Sequence, residues 1–202
     1  VNSLPNVVVS PSNANVCSGD QVTLTASGAN SFTWAPASGL SSLTGSTVIA
    51  TPTGNATYTV TGTSNGCSAS ATANITIFSL PSVSVSPSAY STCQGQTVNL
   101  NATAGLSSYS WSSLPAGTSG SSSTISVSPS GNTTYIVSAS DGVCSDTGVV
   151  NIVVNSLPSV TVNNATICSG QSTTISASGA FIYSWTPSGG LSANTGSSVS
   201  AS

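Results

Sequence analysis

The stretch Thr57-Tyr-Thr-Val-Thr61 decides the fold of this chain. Its tyrosine and valine alternate with threonines, and such alternation of apolar and polar residues is typical of a β-strand with one buried face. The same pattern occurs at residues 22–26, 32–34 and 75–77, and no stretch has helical periodicity. Segments rich in Gly, Asn and Ser separate these strands. The sequence therefore predicts short antiparallel strands that form an all-β sandwich.

This stretch belongs to a unit that the chain repeats. Thr57-Tyr-Thr-Val60 returns as Thr134-Tyr-Ile-Val137, and Phe32-Thr-Trp34 returns as Tyr109-Ser-Trp111 and Tyr183-Ser-Trp185. The period of roughly 75 residues is too long for a solenoid repeat and suits a small domain. A chain made of such copies acts through length and multiplicity more often than through one site.

The repeats define the expected domain organisation. A Leu-Pro dipeptide at residues 4, 80 and 157 joins the copies without a Gly-rich or charged spacer, and its proline stiffens the joint. The chain begins inside such a joint and ends inside a repeat, so we expect a part of a longer protein. We predict two repeats at residues 1–78 and 79–155, and the N-terminal part of a third at residues 156–202.

Two aromatic positions sharpen the fold prediction. In immunoglobulin-like sandwiches a tryptophan on the third strand packs at the centre of the core, and a tyrosine near the start of strand F forms a corner. Both aromatic residues recur in register here, although the cysteines that usually join strands B and F are missing. We therefore expect tandem immunoglobulin-like or PKD-like sandwiches, arranged end to end, with this core signature: Trp34, Trp111, Trp185, Tyr58 and Tyr135.

The composition excludes several classes of partner. The chain has no Lys, Arg or His, and its formal net charge is −3. Nothing can therefore neutralise the phosphates of a nucleic acid or of an anionic membrane surface. No apolar run is long enough to span a bilayer, so we expect no membrane insertion.

The same composition leaves little room for catalysis or metal binding. A nucleophilic serine needs a base, and neither His nor Lys is present. The acids Asp20, Asp141 and Asp146 could contribute to a Ca²⁺ site, but turn residues that accept backbone N–H groups are the simpler interpretation. The tryptophans could stack on sugars, although alternating strand positions favour the core. We expect no enzyme, no catalytic residues, no cofactor and no metal.

The cysteines are regular enough to predict disulfides, which indicate an oxidising, extracellular location. Two pairings remain open. One bridge within each repeat would join Cys17 to Cys67 and Cys93 to Cys144, but these loops belong to opposite ends of a sandwich. A disulfide between neighbouring repeats, such as Cys17–Cys144, avoids that difficulty. The disulfide candidates are Cys17, Cys67, Cys93, Cys144 and Cys168.

The chain resembles the PKD-like and immunoglobulin-like tandem repeats of very large secreted proteins of Bacteroidota. The resemblance rests on Cys-x-Gly before strand B, the aromatic-Ser/Thr-Trp strand, the Thr-Tyr-x-Val strand and the Gly-Cys-Ser or Gly-Val-Cys-Ser turn. PKD domains often carry Gly-Asp-Gly after the tryptophan, where this chain has Pro36-Ala-Ser-Gly-Leu40. The resemblance implies a type IX secretion cargo at the cell surface, of the adhesin or gliding-associated kind.

The leading hypothesis is structural: a semi-rigid rod, stalk or filament whose partners are neighbouring repeats or copies of the chain. The alternatives are an adhesin module that binds glycans or surfaces, and a spacer in a secreted hydrolase. The partial third repeat would lack strands F and G. If it is ordered, we expect a continuing chain or a neighbouring subunit to cover its edges.

Overall fold

The computed structural model describes residues 2–202, so Val1 of the predicted first repeat lies outside the described residues. Every regular element within this range is a β-strand. The alternation seen in the sequence appears directly in the burial of the strands, since in Val22–Ser27 buried apolar residues alternate with exposed polar ones. The all-β prediction is confirmed.

The first sandwich is built from two sheets. One sheet has the strand order β1-β3-β5 and the other has the order β2-β7-β6-β4. All pairings are antiparallel except that of β2 with β7, which is parallel. The strands are β1 (Val8–Ser10), β2 (Asn13–Cys17), β3 (Val22–Ser27), β4 (Ser31–Ala35), β5 (Thr47–Ala50), β6 (Ala56–Ser64) and β7 (Cys67–Phe78).

The second sandwich repeats this arrangement. Its sheets have the orders β8-β10-β12 and β9-β14-β13-β11, and β9 runs parallel to β14 as β2 does to β7. In both sandwiches the first strand of the fold is split into two short pieces, one on each sheet. The strands are β8 (Val85–Pro87), β9 (Ser91–Cys93), β10 (Val98–Ala102), β11 (Ser108–Leu114), β12 (Thr124–Val127), β13 (Thr133–Ser140) and β14 (Ser145–Asn155).

Each sandwich has its own hydrophobic core between its two sheets. The first core is centred on Leu24, Trp34 and Val60, and the second on Leu100 and Val137 with its own tryptophan. Leu24, Val60, Leu100 and Val137 are completely buried. Separate cores mean that each sandwich is a packing unit of its own, which is the organisation of tandem domains.

The third unit contains one three-stranded sheet with the order β15-β16-β17. These strands are β15 (Thr161–Val162), β16 (Thr173–Ser178) and β17 (Ser198–Ala201). They correspond to the β1-β3-β5 sheet of the first sandwich. Without an opposing sheet in residues 156–202, apolar side chains such as Val160 and Ile167 are exposed.

The chain enters and leaves each sandwich at opposite ends. The leading end carries the turn between β6 and β7, where Asn2 donates a hydrogen bond from Nδ2 to the carbonyl of Asn65 at 2.8 Å. The trailing end is reached at Phe78, after the twelve residues of β7. At about 3.3 Å per residue, the two ends of β7 lie roughly 36 Å apart. The sandwiches are therefore stacked end to end along the chain.

Candidate functional site at the junction of the two sandwiches

The trailing end of the first sandwich holds Cys17 in a fixed position. Cys17 is the last residue of β2 and pairs with Phe78, the last residue of β7. The N–H of Ser18 donates to the carbonyl of Phe78 at 2.8 Å, and the N–H of Asp20 donates to the carbonyl of Cys17 at 3.0 Å. The Cys-x-Gly motif is thus a turn that presents its cysteine beside the exit of the chain.

The leading end of the second sandwich holds Cys144 in the turn between β13 and β14. Oδ1 of Asp141 accepts the N–H groups of Val143 and Cys144, both at 2.9 Å. These bonds to the Cys144 and Val143 amides hold the pKa of the Asp141 carboxyl below its ordinary value. Cys144 is 1% exposed. The sequence indicates that Asp141 lies in a turn but not that it orders Cys144; the local signal for the turn is the Asp141-Gly142 dipeptide.

A disulfide joins these two ends across the junction. Cys17 is bonded to Cys144, with their Cα atoms 5.8 Å apart. The pairing within each repeat, Cys17–Cys67 and Cys93–Cys144, is wrong for this structure. Cys17 lies beside Phe78, the last residue of β7, and Cys67 is the first residue of that strand, so roughly 36 Å separates the two cysteines. A disulfide allows only about 4.4–6.8 Å between Cα atoms.

The other disulfide candidates are not bonded within the described residues. Cys67, Cys93 and Cys168 are free, and Cys93 and Cys168 are exposed. Cys67 lies in the turn at the leading end of the first sandwich, where its Sγ is 3.8 Å from the carbonyl oxygen of Asn2. Of the predicted cysteines, the structure therefore brings together one pair and leaves three at other positions of the stack.

The predicted tryptophan signature occupies equivalent places in the units. Trp34 is 4% exposed and Trp111 is 3% exposed, whereas Trp185 is half-buried in the unit without an opposing sheet. Each indole Nε1 donates to a backbone carbonyl eleven residues further along the chain, at 2.8–2.9 Å. The buried rings of Trp34 and Trp111 offer no face for stacking on a sugar, so these two side chains serve packing.

The tyrosine signature is buried as well, but its hydrogen bond differs from the predicted corner. Tyr58 and Tyr135 are 1% and 2% exposed. The hydroxyl of Tyr58 donates to the carbonyl of Ser38 at 2.9 Å, twenty residues upstream. The loop after β4 folds over the ring, and Gly39 permits this approach, because a Cβ there would lie 2.8 Å from the hydroxyl oxygen. The tyrosine thus anchors this loop to β6.

We expect the free energy of unfolding of the Tyr58→Phe variant to fall less steeply with rising alkaline pH than that of the parent protein. Burial raises the pKa of Tyr58 above its ordinary value, so the native state favours the neutral phenol. The stability that this provides is complete below the unfolded-state pKa of about 10 and is lost as pH rises through the native pKa. At neutral pH the variant should lose about 1 kcal/mol with the hydrogen bond to Ser38. Denaturant titrations between pH 7 and 11.5 measure both effects.

The matched control is Tyr90→Phe, because Tyr90 is 65% exposed. This variant should match the parent in stability at neutral pH. A Tyr58→Phe variant whose stability falls as steeply above pH 10 as that of the parent would contradict the prediction.

Asp20 follows the turn after β2, Asp141 lies in the turn between β13 and β14, and Asp146 lies within β14. Within residues 2–202, no group of three or more His, Cys, Asp or Glu side chains is arranged to hold a metal ion. Oδ1 of Asp146 accepts the N–H of Thr147 at 2.7 Å, a contact between neighbouring residues of β14. The described part of the chain also contains no helix that is long and apolar enough to cross a membrane.

Comparison with known proteins finds no family and only distant structural similarity. No protein-family model matches the chain, and no curated protein matches it. The chain is similar to solved structures of murine CEACAM1b (14% identity, 75% of this chain, 100% of that chain, TM-score 0.33) and of titin domains A168–A170 (14% identity, 75% of this chain, 67% of that chain, TM-score 0.35).

The four N-terminal Ig domains of Dscam1 isoform 6.9 are also similar, at 11% identity over 76% of this chain, with a TM-score of 0.30. The matched part covers 47% of that Dscam1 structure. Scores this low carry no argument about function. The strand order and register establish the fold on their own. The chain is a tandem of immunoglobulin-like β-sandwiches arranged end to end.

Proposed function

We propose that this chain is a non-catalytic structural segment of a large extracellular surface protein, and that its units form a semi-rigid rod or filament stalk. The observation that carries the proposal is the Cys17–Cys144 bridge across the junction. A second covalent link beside the peptide chain restricts bending between two stacked units. A module built around one ligand site does not need that restriction, whereas a rod does.

The linker supports the same function. β7 ends at Phe78 and β8 begins at Val85, and this short connection contains the Leu80-Pro81 dipeptide. Proline fixes one backbone dihedral, which limits the directions available to the next unit. The linker and the disulfide together give the junction between the two sandwiches two points of attachment.

The surface of the rod is covered by hydroxyl groups in place of charges. On the exposed face of β6 and β7, Thr61 and Ser70 share a hydrogen bond of 3.0 Å, and Thr63 and Ser68 share one of 2.8 Å. Charge normally keeps soluble proteins apart. A surface of paired hydroxyls with very little charge favours lateral contact between copies, which suits a fibre.

The bridge also supports the extracellular location. Structural disulfides persist in oxidising compartments and are rare where glutathione keeps thiols reduced. The resemblance to secreted repeat proteins of Bacteroidota, including type IX secretion and a cell-surface role of the adhesin or gliding kind, belongs to this proposal.

Electron microscopy of the purified protein tests the rod. Straight particles with an axial repeat of about 40 Å per unit are expected, which is the length of the twelve-residue β7 with its adjoining turn. Particles whose successive units show random angles in oxidising buffer would count against the proposal. Addition of a reductant is the internal control, because it should broaden the distribution of angles between units.

A further inference from the structure

The repeat relates three positions, each of which precedes the first strand of a unit. Asn2, Phe78 and Asn155 each stand two residues before a Leu-Pro dipeptide, so they are equivalent. The bridge between Cys17 and Cys144 belongs to the junction at Phe78. At Asn155 the trailing end of the second sandwich matches the trailing end at Phe78, and at Asn2 the leading end of the first sandwich matches the leading end of the second.

At the trailing end of the second sandwich, Cys93 takes the place that Cys17 has in the first. Cys93 is the last residue of β9 and pairs with Asn155, as Cys17 pairs with Phe78. The N–H of Gln94 donates to the carbonyl of Asn155 at 3.0 Å, which matches the bond at the trailing end of the first sandwich. Cys93 is thus presented toward the third unit and is exposed.

At the leading end of the first sandwich, Cys67 takes the place that Cys144 has in the second. It follows the Asn65-Gly66 turn, and its Sγ lies 3.8 Å from the carbonyl oxygen of Asn2. Since Asn2 is the equivalent of Phe78, Cys67 faces the place where a preceding unit would hold its own Cys17-like residue.

We propose that Cys67 and Cys93 each form a disulfide of the same kind as Cys17–Cys144. The partner of each is a cysteine of the adjacent unit of this repeat in the same polypeptide. Cys67 takes a cysteine of the Cys-x-Gly kind at the trailing end of a preceding unit. Cys93 takes a cysteine in the turn between the last two strands of the unit that follows it. The inference rests on the end-to-end stacking in the proposed function, and it makes the bridge a property of every junction.

Geometry excludes the pairing of these two cysteines with each other. Cys67 lies at the leading end of the first sandwich and Cys93 at the trailing end of the second, which is about two strand lengths, or roughly 70 Å, away. The observed bridge joins two different positions of the repeat, one at a trailing end and one at a leading end. A contact of this kind can form at every junction of a row of units, whereas a contact between two identical positions links only two units.

Bridge formation requires an external disulfide as the oxidant. The thiolate of Cys93 attacks one sulfur of a low-molecular-weight or protein disulfide, which forms a mixed disulfide and releases one thiol. The thiolate of the partner cysteine then attacks the sulfur of Cys93 and releases the second thiol. Two protons and two electrons leave the cysteine pair, and the oxidant is reduced to two thiols.

The test adds a complete unit in front of this chain. A copy of residues 79–154 is fused before Asn2, so that the copied Cys93 lies one junction upstream of Cys67. The protein is oxidised with glutathione disulfide, alkylated and digested without reduction by chymotrypsin, since trypsin has no site. Mass spectrometry should find Cys67 linked to the copied Cys93, with the thiol of Cys67 at least ten-fold less alkylated than in this chain alone.

The control carries Cys93→Ser in the fused copy and should restore full alkylation of Cys67. Linkage of Cys67 to the copied Cys144 or to Cys67 of another molecule would overturn the proposal. Alkylation of Cys67 would also overturn it if the strands of the fused unit resist hydrogen exchange, which shows that this unit is folded. Dimers on a non-reducing gel that are linked through Cys67 would overturn the assignment to a single polypeptide.

Peptide mapping of the protein purified from its natural source gives a second, independent measurement, which does not depend on folding of the fusion. Cys93 should be linked to a peptide with the turn pattern of Cys67 and Cys144, and free Cys93 would refute the inference. These outcomes are separate from the shape seen by electron microscopy, so a failure of the rod and a failure of the bridges can be distinguished.

Discussion

Replacement of Cys17 and Cys144 together by serine should lower the summed free energy of unfolding of the two bridged sandwiches by up to about 5 kcal/mol. The bridge closes a loop with a sequence separation of 127 residues, and removal of such a link restores chain entropy to the unfolded state. The loop runs from β2 to the start of β14, so both sandwiches should share the loss. Guanidinium unfolding, followed by tryptophan fluorescence, measures it.

The control for this experiment is the Cys67→Ser, Cys93→Ser double variant, which keeps the bridge. Both residues are free in the structure, and their replacement should change stability by less than about 0.5 kcal/mol. An equal loss in the two double variants would show that the effect comes from thiol chemistry. No loss in the Cys17→Ser, Cys144→Ser variant would show that the bridge constrains only the angle between units.

Much of the fold follows from local sequence patterns. The alternation at Val22–Ser27 predicts a strand with one buried face, and the structure has that strand and that face. The recurrence of the Trp and Tyr strands in register predicts copies of one sandwich, because a repeated core pattern requires a repeated fold. These inferences succeed since they depend on neighbouring residues and on comparison within the chain.

The connectivity of the site depends on contacts that no local pattern specifies. Cys17 reaches the junction because the first strand splits, and its second half, β2, pairs in parallel with the distant end of β7. The sequence raised a difficulty for the pairing within a repeat, because its two loops belong to opposite ends of a sandwich, but it left both pairings open. The partner of Tyr58 was missed for a similar reason, since Ser38 belongs to a loop whose path is set by tertiary packing.

Trp34→Ala should destabilise the first sandwich by about 3–5 kcal/mol, because it leaves a large cavity at the centre of a core. Trp34 is 4% exposed, and its Nε1 donates to the carbonyl of Gly45 at 2.9 Å. The loss is comparable to the whole stability of a small domain, so the first sandwich should be largely unfolded at 37 °C while the second keeps its own core. Hydrogen exchange with mass spectrometry resolves the two, since β6 should lose protection and β13 should keep it.

Two further variants separate the contributions to this effect. Trp34→Phe keeps an aromatic ring in the core and removes the hydrogen bond, so its loss should be clearly smaller than that of Trp34→Ala. Trp185→Ala, in the unit whose tryptophan is only half-buried, should cost less than Trp34→Ala as well, because less packing is removed. If Trp34→Ala unfolded both sandwiches together, the units would share one cooperative transition, and the bridged junction would couple their stabilities as well as their orientation.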